Sequence, residues 1–222
     1  MYRVFRVGIS LSMEVTSQDV QDLTLRLHNV LTKIGIHAYV DRSLQSVIAL
    51  ENEVSIAFFI SRTGRAVLNI QIDCLRDEEC IAELNNLVSL SNLIVKELKL
   101  ITVNNVEYIV KRELILENVK EIDIEGIDRE LKHRGLLRVS LSEKNVDLGL
   151  DTSKLLIYKY KYIDNRLNPI LIDIIYLLRR PGMNVAVITC LTLTKLPIIN
   201  EYLVELITLS DLVLTIVRNG LR

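Results

Sequence analysis

The distribution of hydrophobic and polar residues is most informative in the last third of this 222-residue chain. Residues 155–163 are rich in β-branched and aromatic side chains, and tyrosines alternate with lysines in the second half of this run. Both features are typical of a strand. Asn168 followed by Pro169 indicates a helix start, because the amide can cap a helix and proline suits its first turn. Residues 170–180 are apolar on nearly every side and therefore predict a buried helix.

The rest of this segment predicts a parallel sheet. Residues 185–191 and 212–217 are strand-like runs, and a second helix is predicted from Pro197 to about Leu209. Strands that alternate with helices favour an α/β fold with a Rossmann-like parallel β-α-β-α-β layer. The same order, with Asp164 after the first strand, is similar to the closing part of RecA-like ATPase cores and to other Rossmann-like layers.

The first half of the chain favours an α+β arrangement with hairpins and two long helices. Residues 54–60 and 66–74 alternate in polarity around a turn that contains Gly64, which predicts a hairpin. Apolar residues recur at helical spacing over residues 20–34 and 81–98. One continuous sheet through both halves of the chain is the main alternative to separate domains.

Dense charge of both signs over residues 113–138 indicates a domain boundary. We therefore predict an α+β domain at residues 1–118 and a Rossmann-like domain at residues 119–222. Residues 136–141 and 146–150 predict a further hairpin near the start of the second domain.

Three carboxylates in the charged segment alternate with isoleucines, which places Glu121, Asp123 and Glu125 on one face of a predicted strand. Carboxylates grouped in this way can bind a hard cation. A solvated edge strand explains the same pattern and is the explanation that we favour, so we predict no metal site.

The three cysteines do not form a metal-binding pattern. Cys74 and Cys80 lie six residues apart, which is not a zinc-ligand spacing, and no histidine is near them in sequence. We favour small buried hydrophobic roles for Cys74, Cys80 and Cys190. A disulfide between Cys74 and Cys80 is conceivable in the cytosol of a hyperthermophile.

Composition narrows the class of protein further. Half of the residues are hydrophobic and a quarter are charged, which indicates a globular protein with a large core. The formal net charge is −1, from 27 basic and 28 acidic residues, which argues against a surface wholly devoted to nucleic acid or anionic membrane. The abundant charge and the absence of tryptophan favour a thermophilic microbe as the source, and the N-terminal sequence favours a cytoplasmic location without membrane association.

Polar residues follow the predicted C-terminal strands. In a parallel sheet, ligands bind beyond the carboxyl ends of the strands, so these residues predict an anion or nucleotide pocket. Polar loops facing water explain them as well, and we favour that explanation. The candidate ligand-binding residues are Asp164, Asn165, Arg166, Thr194, Lys195 and Arg218.

A local basic patch could contact nucleic acid. Arg62 and Arg65 lie at the turn of the predicted hairpin, where cations can reach a phosphate backbone. Lys159 and Lys161 flank Tyr160 on a predicted strand, and an aromatic ring beside cations can stack a base. Charged hairpin ends and tyrosines packed under a helix are commoner, and we favour those structural roles.

The sequence contains no catalytic or cofactor motif. Gly8 is the only glycine before the first predicted helix and no Gly-Lys-Ser/Thr follows it, which excludes a classical P-loop ATPase. We therefore expect no cofactor and a non-enzymatic interaction, assembly or regulatory protein that is oligomeric, with itself or another protein as partner. A degenerate nucleotide- or anion-binding protein and a nucleic-acid accessory factor are the alternatives.

Overall fold

The computed structural model describes residues 3–14, 17–41, 46–51, 53–60, 65–74, 77–98, 103–117, 119, 122–147, 152–178, 182–194 and 197–221. Its strands are β1 Arg3–Glu14, β2 Ala38–Asp41, β3 Ser46–Glu51, β4 Val54–Ile60, β5 Arg65–Cys74, β6 Val103–Glu117, β7 Leu137–Asp147, β8 Thr152–Ile163, β9 Pro169–Leu178 and β10 Gly182–Leu193. Its helices are α1 Ser17–Lys33, α2 Asp77–Glu97, α3 Ile124–His133 and α4 Asn200–Asn219.

The strands form one ten-stranded sheet within the described residues, in the order β2-β3-β4-β5-β1-β6-β10-β9-β8-β7. The pairings from β2 to β5 and from β7 to β10 are all antiparallel. The predicted α/β class, with a Rossmann-like parallel layer in the last third, is therefore wrong. The fold is a large antiparallel sheet with four helices.

Two elements account for this error. Residues 170–178 form strand β9 and not the predicted helix, with Pro169 at the start of the strand. Their burial alternates strictly, with Ile170, Ile172 and Ile174 buried and the residues between them more exposed. Residues 212–217 belong to α4 and not to a strand. Without that helix and that strand, no crossover joins parallel strands in the described part of this segment.

The element order reveals an internal repeat. The first repeat runs β1-α1-β2-β3-β4-β5-α2, and the second runs β6-α3-β7-β8-β9-β10-α4 in the same order of strands and helices. The sheet order is also the same when read from either edge, once each strand is exchanged for its counterpart in the other repeat. The two repeats thus have one common topology.

The turns after α1 and α3 support the repeat in atomic detail. Gly35 and Gly135 both have φ of 82°, a left-handed conformation that glycine adopts without steric cost. The next amide bonds back to the helix in the same way, from Ile36 to Leu31 at 2.9 Å and from Leu136 to Leu131 at 3.0 Å. Each repeat therefore ends its first helix with the same glycine turn before an edge strand.

The chain divides into two compact units. The N-terminal unit comprises residues 6–108 and 192–203, and the C-terminal unit comprises residues 1–5, 109–191 and 204–222. In the N-terminal unit, α1 packs against β2 and β3, and α2 packs against β5; in the C-terminal unit, α3 packs against β7. In both units the strands bury alternate side chains, as β5 and β9 illustrate.

The hairpin predicted around Gly64 agrees with the antiparallel pairing of β4 and β5, although Gly64 itself lies outside the described residues. A strand carrying three carboxylates was predicted here, but it does not form at Asp123 and Glu125. Asp123 instead caps α3 and accepts a hydrogen bond from the backbone amide of Gly126 at 2.8 Å. Glu125 lies in the first helical turn, and Glu121 is outside the described residues.

Candidate functional site

Strand β7 is an edge strand with an unusual exposure pattern. It ends the strand order, so β8 pairs with one side of its backbone and no described strand lies on the other side. Residues 137–145 are all exposed, on both faces of the strand, although α3 packs against it. Three of these side chains are apolar: Leu137 is 61%, Val139 62% and Leu141 52% exposed. An uncovered edge with apolar side chains is a template for pairing with another chain.

The local sequence explains how β7 comes to lie there. Gly135 turns the chain out of α3, and Leu136 is buried and anchors the start of the strand. The pairing with β8 shifts by one residue between Arg138 and Ser140, which makes Val139 the extra residue of a β-bulge. A hairpin was predicted over residues 136–150. In the structure, residues Leu137–Asp147 form one strand of eleven residues instead, and residues 148–150 lie outside the described residues.

Ionic contacts fix the helix-covered side of β7. The Arg138 guanidinium lies 3.4 Å from the Asp128 carboxylate, and the Lys154 ammonium lies 2.7 Å from Glu143. Tyr160 donates a hydrogen bond to Asp128 at 3.0 Å. Burial, reinforced by this hydrogen bond, raises the pKa of Tyr160 above its ordinary value, so the phenol stays a donor. Arg138 and Glu143 nevertheless remain about half exposed and can meet further groups.

Two open pockets occupy corresponding places in the repeats, beside the first helix and the edge strand. The C-terminal unit has a pocket of about 290 Å³, lined by Asp128, Lys132, Leu136, Leu137 and Arg138. The N-terminal unit has a pocket of about 630 Å³, lined by His28, Thr32, His37, Ala38, Tyr39, Ile48 and Leu50. The two pockets lie at corresponding positions, but their lining residues differ in charge and polarity. The linings therefore do not indicate a common ligand.

The structure gives Asp164 a role within its own turn. Asp164 is 3% exposed and joins β8 to β9. Its carboxylate accepts hydrogen bonds from the backbone amides of Arg166 and Asn168 at 2.9 and 2.6 Å, and from the Asn168 side chain at 2.8 Å. These three bonds stabilise a turn in which Leu167 has a φ of 65°. They account for the buried carboxylate without a ligand.

The other predicted anion-site residues are scattered. Asn165 and Arg166 are exposed in the β8–β9 turn, and Thr194 is exposed just after β10. Lys195 lies outside the described residues. Arg218 is in the last turn of α4, whereas Glu205, which interacts electrostatically with Asp164 and Arg166, is near the helix start. Thirteen helical residues separate these two positions by roughly 20 Å. Arg218 is therefore not part of the Asp164 turn.

The Glu205 carboxyl group makes stability depend on pH. Burial raises the pKa of Glu205, the Asp164 carboxylate raises it further, and Arg166 lowers it. A carboxyl group with a raised folded-state pKa stabilises the fold below its unfolded pKa and loses that effect as the pH rises through the folded value. We therefore expect Glu205→Gln to change stability little below pH 4.5, the ordinary glutamate value, and to stabilise the protein at neutral pH.

Urea unfolding at both pH values checks this prediction. Arg166→Ala is the matched variant: it removes the cation that lowers the pKa of Glu205, so its destabilising effect at neutral pH should be larger when Glu205 is present than in the Glu205→Gln background. An equal effect of Glu205→Gln at acid and neutral pH would contradict the electrostatic origin.

The predicted nucleic-acid residues do not form one basic face. Lys159 pairs with Asp173 at 2.9 Å, which neutralises it locally. Lys161 is exposed on the same face, but Tyr160 is 2% exposed on the opposite face and cannot offer its ring to a base. Arg65 is exposed at the start of β5 in the N-terminal unit, and Arg62 lies outside the described residues.

Two global features bear on the class of protein. Across the described residues, no group of three or more histidine, cysteine or acidic side chains could hold a metal ion. Among the helices of the same residues, none is both long and apolar enough to cross a membrane.

Comparison with known proteins gives only distant similarities. No protein-family model matches the chain, and no curated protein matches it. The di-domain ARO/CYC StfQ from the steffimycin biosynthetic pathway is similar over 96% of this chain and 97% of its own, at 11% identity and a TM-score of 0.30. The di-domain ARO/CYC BexL from the BE-7585A biosynthetic pathway covers 84% of each chain at 11% identity, with a TM-score of 0.28. The immunity protein TplEi of the T6SS of Pseudomonas aeruginosa covers 99% of this chain and 91% of its own, at 10% identity and a TM-score of 0.25.

Proposed function

We propose that this protein is an interaction or assembly protein, not an enzyme, and that it associates with copies of itself through the β7 edge. The observation that carries the proposal is the exposure of residues 137–145 on an edge strand that has a partner strand on one side only, as far as the described residues go. Proteins generally protect such edges with short strands, charges or a covering element.

The opposite edge of the sheet supports the assignment by contrast. Its counterpart in the first repeat, β2, has only four residues, Ala38–Asp41, and so offers little backbone for pairing. Strand β7 has eleven residues and keeps three apolar side chains in solvent. Since the two repeats share a topology, the length of this edge strand is a property of β7 itself and not of the fold.

The molar mass in solution, measured by light scattering, tests the proposal. We expect the wild-type protein to have at least twice the 25.4 kDa mass of one chain. Val139→Lys combined with Leu141→Lys should reduce the mass to that of a single chain, because charges on an edge strand oppose pairing. The matched control, Tyr39→Lys with Leu50→Lys, places the same charges on exposed residues of the other edge region and should leave the assembly intact.

A wild-type mass of one chain at the highest soluble concentration would refute self-assembly. An assembly that survives the β7 variant but is lost in the control would move the interface to the other edge.

A further inference from the structure

Resting on the proposed function, we infer that the partner strand of β7 is the β7 of a second copy, paired antiparallel with Leu141 opposite Leu141. Such a pair is self-complementary, because a two-fold axis presents the same surface from both copies. It would extend the antiparallel sheet of the C-terminal unit from one copy into the next by strand addition.

The pairing with β8 determines which side chains share a face of β7. Arg138, Leu141 and Glu143 lie opposite Tyr160, Tyr158 and Leu156, all of which are buried on the helix-covered face. Ser140, Ser142 and Lys144 lie opposite Lys159, Ile157 and Leu155 and therefore share the open face with Leu137. The bulge at Val139 is the reason that Arg138 falls on the same face as Leu141.

This bulge gives the self-pairing its charge complementarity. With Leu141 opposite Leu141, the position opposite Glu143 in a regular strand would be Val139. Because Val139 is the extra residue of the bulge, Arg138 takes that position on the helix-covered face. Each copy then contributes an arginine to the other copy's glutamate, so the symmetric pair contains this contact twice. On the open face, Ser140 lies opposite Ser142, and Leu137 lies opposite Lys144.

Neighbouring registers lack this complementarity. Residues opposite each other in an antiparallel pair must lie on the same face of the sheet. The two-fold axis of the pair can therefore pass only through a residue of β7, and not between two residues. With the axis at Ser142, Leu141 lies opposite Glu143, and an apolar side chain faces a carboxylate. With the axis at Glu143, two carboxylates oppose each other directly, which is destabilising. Of these three registers, only the one centred on Leu141 places leucine opposite leucine and arginine opposite glutamate.

Cysteine cross-linking in the full chain tests the register. The background variant is Cys190→Ser, which removes the thiol that is not in a disulfide, while the buried Cys74–Cys80 disulfide remains. Leu141→Cys should give a covalent dimer as the main product under mild oxidation, because directly opposite Cβ atoms lie about 5 Å apart. Ser142→Cys is the matched control. Its two copies would be diagonal neighbours about 7–8 Å apart, too far for efficient disulfide formation.

The outcomes separate the register from the proposed function. A covalent dimer of Leu141→Cys, with little of Ser142→Cys, supports the pairing. A non-covalent assembly in which Ser142→Cys cross-links better, or in which neither variant does, overturns this pairing while self-assembly stands. A single-chain mass for both variants and for the wild type overturns self-assembly itself.

Discussion

Arg112→Ala is expected to lower the free energy of unfolding by about 3 kcal/mol or more, measured by denaturant unfolding. Arg112 in β6 is 1% exposed. Its Nε donates a hydrogen bond to Ser210 at 2.8 Å, and a second nitrogen donates to the Ile207 carbonyl oxygen at 3.5 Å. The guanidinium also lies 4.3 Å from the centre of the Phe5 ring. Truncation to alanine removes all of these contacts and leaves a cavity under α4.

Two further variants separate packing from charge at this site. Arg112→Met keeps most of the volume, and an apolar side chain of similar size often replaces a buried cation at little cost, so we expect a loss below about 1.5 kcal/mol. Asp211→Asn tests the ion pair, whose atoms are 3.6 Å apart and whose carboxylate is 47% exposed. We expect this change to cost less than about 1 kcal/mol. An Arg112→Ala protein as stable as Arg112→Met would contradict the importance of packing.

The strands of the C-terminal unit show what a local sequence pattern can and cannot predict. Strands β8 and β10 were predictable, because their β-branched runs are bounded by turn residues. Strand β9 was not, because Leu171, Ile175 and Leu177 on its open face are also apolar and conceal the alternation. Pro169 fits the first turn of a helix, but proline suits the first residue of a strand equally well. The excess of isoleucine was the signal that favoured a strand.

Helix α4 differs from the prediction because the second half of the helix has a strand-like composition. Residues 212–217 are β-branched enough to resemble a strand, and Ser210 with Asp211 resembles a loop. In the structure Ser210 is buried and bonds to Ile207 within the helix, so the apparent break is internal. Leu206, Val213 and Val217 are buried at helical spacing, which a longer window would have revealed.

The internal repeat was also visible in the sequence, at a distance far longer than one element. Both α2 and α4 contain Glu-Leu, at 83–84 and 205–206, and Ile-Val, at 94–95 and 216–217. Leucine and glycine recur four residues apart at Leu31 with Gly35 and at Leu131 with Gly135. A comparison of the chain with itself would have identified β7 as the counterpart of β2.

The candidate site could be predicted only in part. Leu137, Val139 and Leu141 fitted a strand, but pairing decides whether such a strand is central or at an edge. The anion-site prediction depended on parallel strands whose carboxyl ends meet, and that sheet does not exist. Tyr160 of the predicted basic patch is buried, which shows a related limit: the sequence indicates which residues share a face but not which face a helix covers.

Reduction of the Cys74–Cys80 disulfide is expected to lower the free energy of unfolding by about 2 kcal/mol. The two cysteines, six residues apart, join the end of β5 to the first turn of α2. Cross-linking restricts the unfolded chain, and a loop this short gives an effect near the lower end of the usual range. Both side chains are buried, at 3% and 0% exposure, so reduction should require unfolding or strong reductant.

Unfolding curves of the oxidised protein without reductant and of the reduced protein with reductant check this prediction. Unlike a cysteine substitution, reduction leaves both side chains in place and creates no cavity. Cys190→Ser is the control, because any effect of reductant that acts through the Cys190 thiol disappears in that variant while the effect of the disulfide remains. Since α2 packs against β5, the loss should appear as earlier unfolding of the N-terminal unit. Identical midpoints for the oxidised and reduced proteins would mean that packing alone, without the disulfide, holds the start of α2 on the sheet.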